Sequence, residues 1–413
     1  MRVAARLTVF VATLALVAGC APPARRVLPS SETPAGGAGA SVNRAPLPSP
    51  SDLQTLLRAE RFDELEQSLS ALQRQYEEGV VSDEDLRDTY RAFYPTDAQL
   101  EAKYNAWVER FPKSYAAHLA RAVYYRKVAS VQRGGAYIDK TTNEQIQNMT
   151  STLKKAAEDV QVSFELTPKP ILSLVQAIDM AGTLGAPDHG RALLDRAIAL
   201  DAGAYIARLK YMAFLNTRWG GSLEEMQAFL EESRHSRLSK RQLDTLESLV
   251  FEEQGWLHVH EDGDAGAALR DYEHAKSLNP AVCLRCAKLE MSELLTQQRK
   301  YTEAVAMLSG VIGNDPSDLD ALDTRAQTYM AAGMRAEAIA DWKRAAEAGD
   351  AAAQNQMGAF YMNGVPGVLD ADIRAGLEWF QKSAAQGDPA GKKNVDLALM
   401  VIRARSQGFS SNN

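Results

Sequence analysis

Two cysteines three positions apart, in Cys283-Leu284-Arg285-Cys286, have the spacing in this sequence that most directly suggests chemistry. They follow Asn279-Pro280 and open a helical stretch. Residues i and i+3 on one helix face lie ~5–6 Å apart, which suits the Cα atoms of a disulfide. A local bridge, or two packed thiols, is the first reading. Thiol exchange is the second, because a helix N-terminus lowers a thiol pKa, although the strand that precedes such a motif in a thioredoxin-like fold is missing. Zinc is the third, but the nearest further ligands, His258, His260 and His274, supply no second tight pair. The structural bridge is favoured, and no catalytic residue, metal or cofactor is assigned.

Two glycine clusters also invite a chemical reading, Arg133-Gly134-Gly135 and Arg218-Trp219-Gly220-Gly221-Ser222. Paired glycines permit positive φ or close backbone approach. Ser222 reads as a helix N-cap with Glu225 completing a capping box, so a structural account is available. The functional alternative has the glycine amides, the helix N-terminus, Arg133 and Arg218 hold a carboxylate or phosphate. His258 and His260, beside Trp256 and Glu261, read as surface or hydrogen-bonded groups. Glu261-Asp262-Gly263-Asp264 lacks the ligand spacing and closing Glu of an EF-hand and reads as a turn. No phosphate loop, nucleophile elbow or zincin motif occurs.

The elements that position these residues are helical. The 413 residues are 46% hydrophobic and only 7% aromatic, and Ala is frequent wherever the pattern is helical, which favours closely packed helices over a β-sandwich. That length supports one large or two ordinary cores. The formal charge of −7 falls to −9 if Arg2 and Arg6 are removed, and no basic run occurs, which argues against nucleic-acid binding.

Arg2 and Arg6 precede an apolar run from Leu7 to Ala18, broken only by Thr8 and Thr13. Such a run is shorter than the ~20 residues of a membrane-spanning helix, so residues 1–19 read as an export leader. Leu16-Val17-Ala18-Gly19-Cys20 then resembles the lipobox of bacterial lipoproteins. The resemblance implies that the Cys20 thiol carries diacylglycerol and that acyl chains such as palmitate anchor the mature protein. Ala21 in place of Asp implies the outer membrane, with the body in the periplasm. Residues 20–50 hold Pro22, Pro23, Pro29, Pro34, Pro46, Pro48 and Pro50 with Gly36, Gly37 and Gly39, a composition that cannot bury a core. Extended at ~3.1 Å per residue, this linker reaches up to roughly 90 Å.

Beyond the linker, Leu53, Leu56, Leu57, Phe62, Leu65, Leu69 and Leu72 recur at helical spacing after Ser51-Asp52, a candidate N-cap. Tyr301-Thr302-Glu303-Ala304-Val305 and Arg335-Ala336-Glu337-Ala338-Ile339 lie 34 residues apart. Leu295, Leu308, Val311 and Pro316 fill one unit, and Tyr329, Gly333, Trp342 and Ala345 the next. Ala268, Tyr272, Ala275 and Pro280 mark an earlier one, with a two-residue insertion. Residues 249–348 therefore resemble tetratricopeptide repeats, which implies helix pairs that bury their apolar faces by stacking. Residues 349–405, with Gly358, Tyr361, Asn363-Gly364, Trp379-Phe380 and Gln386-Gly387-Asp388, resemble a Sel-one-like repeat closed by a capping helix from about Ala390 to Arg405. Residues 406–413 are expected to be loose.

Residues 51–248 are helical but poorly periodic. Trp107, Phe111-Pro112, Ser114, Arg133-Gly134 and Arg218-Trp219-Gly220-Gly221-Ser222 resemble a bacterial domain-of-unknown-function family found with such repeats. The expected architecture is an all-α, tetratricopeptide- and Sel-like solenoid of antiparallel helix pairs. The expected role is non-enzymatic: a periplasm-facing, lipid-anchored scaffold or adaptor that binds protein or peptide partners, and the resemblance to other tetratricopeptide lipoproteins implies activating or scaffolding an envelope enzyme, or serving assembly or secretion. The alternative is an enzyme or receptor for a small anion seated in residues 51–248.

Overall fold

The computed structural model describes residues 47–134 and 141–410, with side chains through Ala404. The leader, Cys20, the linker to residue 46, Gly135 and the last three residues lie outside the described residues. Nineteen helices carry the described chain, with no strand and one isolated bridge between Val365 and Leu369. The all-α expectation holds. Among the described residues no helix is long and apolar enough to cross a membrane. The chain divides at Leu246/Glu247 into two compact units.

The first unit opens with α1 (Pro50–Arg58), α2 (Phe62–Glu77), α3 (Asp83–Tyr90) and α4 (Leu100–Arg110). The N-cap of α1 is Ser49, earlier than the expected Ser51-Asp52: its hydroxyl accepts from the Asp52 amide at 3.1 Å, and Pro50 occupies the first turn, where it needs no amide partner. Leu53, Leu57, Phe62, Leu65, Leu69 and Leu72 are all buried. Around Trp107 they meet an aromatic cluster, with Phe62 stacked at 6.3 Å and Phe93 at 5.9 Å.

Two long helices follow, α5 (Tyr115–Arg133) and α6 (Asn143–Ser163), packed along each other. Next come α7 (Ile171–Thr183), α8 (Pro187–Leu200), α9 (Tyr205–Phe214) and α10 (Leu223–Arg234). Every residue of α7 from Ile171 to Ala181 is buried. A helix apolar on nearly all sides belongs at the centre of a core, and α7 touches α6, α8, α9 and α5. The first turn of α9 has no side-chain cap of its own, and Asp83 of α3 supplies one, accepting from the Ile206 amide at 2.7 Å.

α11 (Lys240–Leu257) spans the division and ends in a π-helical turn, His258–Asp262, closed by Gly263. The second unit then runs through α12 (Ala265–Leu278), α13 (Leu284–Gln297), α14 (Tyr301–Asn314), α15 (Leu319–Ala331), α16 (Arg335–Glu347), α17 (Ala351–Asn363), α18 (Ile373–Ala385) and α19 (Pro389–Ser410). Each helix packs on the next, and the first helices of adjacent pairs also touch, α13 on α15 and α17 on α19. That is solenoid stacking.

The repeat positions behave as their sizes require. Ala268, Ala275, Ala304, Ala338 and Ala345 are fully enclosed, so helix backbones approach closely, while Trp342 fills the gap to the next pair and meets Phe360 at 5.4 Å. Helix starts at 265, 301 and 335 reproduce the expected insertion between the earlier units. In the Sel-like pair a Cβ at Gly358 would lie 2.5 Å from the Phe380 ring, so only glycine lets α17 and α18 meet there. The expected loose tail is corrected in part: Ser406 to Ser410 continue α19, because a single Gly408 costs a helix only about 1 kcal/mol.

Candidate functional site

The cysteine pair lies in the second unit. Cys283 caps α13, Cys286 sits in its first turn, and the two are joined in a disulfide with Cα atoms 5.3 Å apart. Both residues are exposed. Arg285 between them reaches the next pair, bonding Asp318 at 2.5 Å and Asp320 at 2.7 Å, and its hydrogen bonds hold the Asp318 carboxyl below the usual carboxylate range. Asp318 is in turn the N-cap of α15. The Cys-Leu-Arg-Cys turn thus sits at a junction between repeats.

The histidines are hydrogen-bonded groups. His258 Nδ1 lies 2.7 Å from Asp271, and His260 stacks on Trp256 at 4.3 Å with Nδ1 against the Trp256 carbonyl. The acidic stretch that follows is a turn, as expected, but its first residues belong to a π-helix. Among the described residues no group of three or more His, Cys, Asp and Glu is placed to hold a metal ion.

The glycine loop is explained by its own turn. Gly220 adopts φ 91°, and a Cβ at Gly221 would fall 2.1 Å from the Leu215 carbonyl oxygen. The Gly220 and Gly221 amides donate to the Thr217 and Asn216 carbonyls at 3.1 Å, so they are committed to the loop and do not face an anion. Ser222 caps α10, accepting from the Glu225 amide at 3.1 Å, which is the serine half of the expected capping box.

Two residues of the glycine clusters do converge. Arg133, at the end of α5, lies over the Trp219 ring at 5.5 Å, and both line a cavity of about 320 Å³. The cavity is walled by α5, α6, α7, α9 and the Trp219 turn; Arg218 and Ser222 are not among its lining residues. Among the described residues its other charged groups are Arg126, Lys127, Asp179 and Lys210. Arg126 bonds both Gln176 and Asp179, and Lys210 reaches Asp179 at 2.9 Å. Burial pushes the Asp179 carboxyl up, but Arg126 and Lys210 outweigh it and leave it below its ordinary value. Lys127, its ammonium 4.0 Å above the Tyr94 ring, is held below the ordinary lysine range by burial and by repulsion from Arg126 and Lys210.

Sequence reasoning missed Arg126, Lys127, Asp179 and Lys210. One signal was available: Asp179 is the lone charge in the apolar run Ile171–Ala181, and a charge buried on a core helix requires a partner. It also missed Glu66, which accepts from the buried Trp107 indole at 2.7 Å and from Ser114, the α5 N-cap, at 2.5 Å. Burial raises the Glu66 carboxyl pKa. Trp107 and Ser114 are thus architectural.

Residues 50–200 match a family described as a domain of unknown function, DUF4034. The match ends before Arg218-Trp219-Gly220-Gly221-Ser222, which therefore lies outside the matched region. Residues 351–388 match the Sel1 repeat. Nothing among the curated proteins matches the chain. Among solved structures, yeast Tom70 is 10% identical, covering 87% of this chain and 89% of its own, with TM-score 0.37. A signal-transduction ATPase with a tetratricopeptide repeat sensor, from Pyrococcus horikoshii, is 15% identical, covering 84% of this chain and 53% of its own, with TM-score 0.41. The tetratricopeptide protein YrrB, described as having an unusual peptide-binding site, is 17% identical over 46% of this chain and 91% of its own, with TM-score 0.29. All three TM-scores are below 0.5, so the class, a helical-repeat protein with a Sel1 repeat, rests on the helix pairing and the matched residues.

Proposed function

We propose that the chain is an interaction scaffold: its repeats bind a protein or peptide of the bacterial envelope, and fatty acids on Cys20 hold it at the periplasmic face of the outer membrane. The observation that carries this reading is the stacking of α13 on α15 and of α17 on α19 within an uninterrupted series of helix pairs. Such stacking sets first helices side by side, α13 with α15 and α17 with α19, as a surface that an extended or helical segment of a partner can follow. Glu293 on α13 and Gln327 on α15 are exposed and suit the recognition of polar groups. The Cys20 anchor is supported by the lipobox resemblance alone, and the partner class is an envelope enzyme or assembly factor.

A photo-crosslinking side chain placed at Glu293 or Gln327 in cells tests the face. Both positions are expected to capture the same protein, while Glu303 and Lys343, exposed on the second helices α14 and α16, do not. Equal capture from all four positions, or none, overturns the reading. Labelling with a palmitate analogue tests the anchor: label and membrane association are expected to vanish together in Cys20→Ala.

A further inference from the structure

The first unit holds a cavity that the scaffold reading does not use. Among the described residues, four cationic side chains, Arg126, Lys127, Arg133 and Lys210, line it with one carboxylate, Asp179, leaving three positive charges in excess among those residues within about 320 Å³. The whole chain carries −7, so the local excess runs against the overall charge. Asp179 is shared between Arg126 and Lys210, while Lys127 and Arg133 face aromatic rings. Charges crowded on the same side of a partly buried site repel one another until an anion enters.

Most of the remaining lining is apolar, with Ser130 and Thr183 as its uncharged polar members. Phe214 and Trp219 meet edge to face at 5.2 Å, and Trp219 is left 43% exposed beside the opening, while Met149 and Leu153 form a buried floor. A smaller cavity of about 30 Å³ adjoins this one through Arg126, Asp179 and Lys210 and is lined by Tyr90. Among the described residues the buried Tyr90 hydroxyl has no hydrogen-bond partner, and the space has room for one water. Cationic groups, an exposed aromatic wall and an unsatisfied hydroxyl next door together make a site rather than a gap in packing.

We propose that this cavity binds a small organic phosphate with an apolar or aromatic body. Lys127, Arg133 and Lys210 take the phosphate, and Trp219 and Phe214 cover the body. A dianion matches the excess charge better than a carboxylate, and its oxygens can be shared among several donors. The inference goes beyond the scaffold reading and does not depend on it.

Titration of the full chain with phenyl phosphate, followed by calorimetry and tryptophan fluorescence, tests the site. Saturable binding is expected, at least tenfold tighter than for inorganic phosphate or benzoate, with phenol not binding. Lys127→Met and Arg133→Met are expected to weaken phenyl phosphate at least tenfold each, with melting curves confirming that the variants fold. Trp219→Leu is expected to weaken phenyl phosphate and leave inorganic phosphate unchanged. No saturation by about 10 mM, a range in which any useful site would fill, overturns the proposal. So does binding that both Met variants retain in full. Benzoate as tight as phenyl phosphate overturns the phosphate assignment.

Discussion

At the scale of single residues, buried polar groups in the first unit fasten one helix to another. Glu66 joins α2 to Trp107 and to the start of α5, and Asp159 of α6 receives His118 at 2.7 Å and Arg121 at 2.8 Å from α5. Asp83, which caps α9 from α3, is a further buried group of this kind and one that responds to pH. Burial, then the nearby Asp201 and Glu84, outweighs its bond from Ile206 and lifts its pKa from 3.8 to about 6. The folded chain therefore holds this proton more tightly than the unfolded chain. The contribution of Asp83 is largest below the unfolded value and is lost as pH rises to about 6. Asp83→Asn keeps an acceptor for the Ile206 amide without a charge to bury. Relative to Asp83→Asn, the parent chain should lose stability between pH 4 and 7, by on the order of 2 kcal/mol. Denaturant melts of both proteins across that range measure the difference, and parallel curves would refute it.

At the scale of elements, the turns between paired helices show where one repeat is less well adapted than its neighbour. Gly333 closes the α15–α16 turn with φ 80°, and the equivalent position in the α13–α14 turn is Arg299, at φ 61°. A left-handed conformation costs a residue with a side chain about 1–2 kcal/mol, and glycine escapes most of it. Arg299 is exposed, so its replacement removes little packing. Arg299→Gly should stabilise the second unit by about 1 kcal/mol, seen as a higher denaturation midpoint; a lower midpoint would show that the Arg299 side chain contributes more than the strain it imposes.

At the scale of the molecule, each unit has its own core, and in the second every pair depends on the pairs beside it. Trp342 belongs to both sides of such a junction: it packs on Phe360 of the Sel1 repeat and donates its indole N–H to Asp323 at 2.7 Å. Trp342→Ala should remove about 3–5 kcal/mol. Because coupling in a solenoid passes between neighbours, the loss should spread through α15 to α19 and leave α5 to α7 unaffected. Hydrogen exchange with mass spectrometry resolves the two regions, and uniform deprotection of both units would contradict this account.

What the sequence by itself determined is what nearest neighbours along the chain encode. The alanines spaced 34 residues apart, the bulky Trp342, the Gly333 turn and the close-packed Gly358 all report backbone geometry within one or two helices, so the repeats were legible. The Cys283–Cys286 spacing was legible for the same reason. The cationic cavity was not. Lys127, Asp179 and Lys210 sit on three helices separated by long stretches of chain, and their convergence depends on how α5, α7 and α9 pack around a buried helix. Tertiary structure also decided the glycine loop, where proximity to the Leu215 carbonyl gives Gly221 its role and commits its amide to the turn. Periodicity records which face of a helix is buried, and only packing determines which residues from other helices that face will meet.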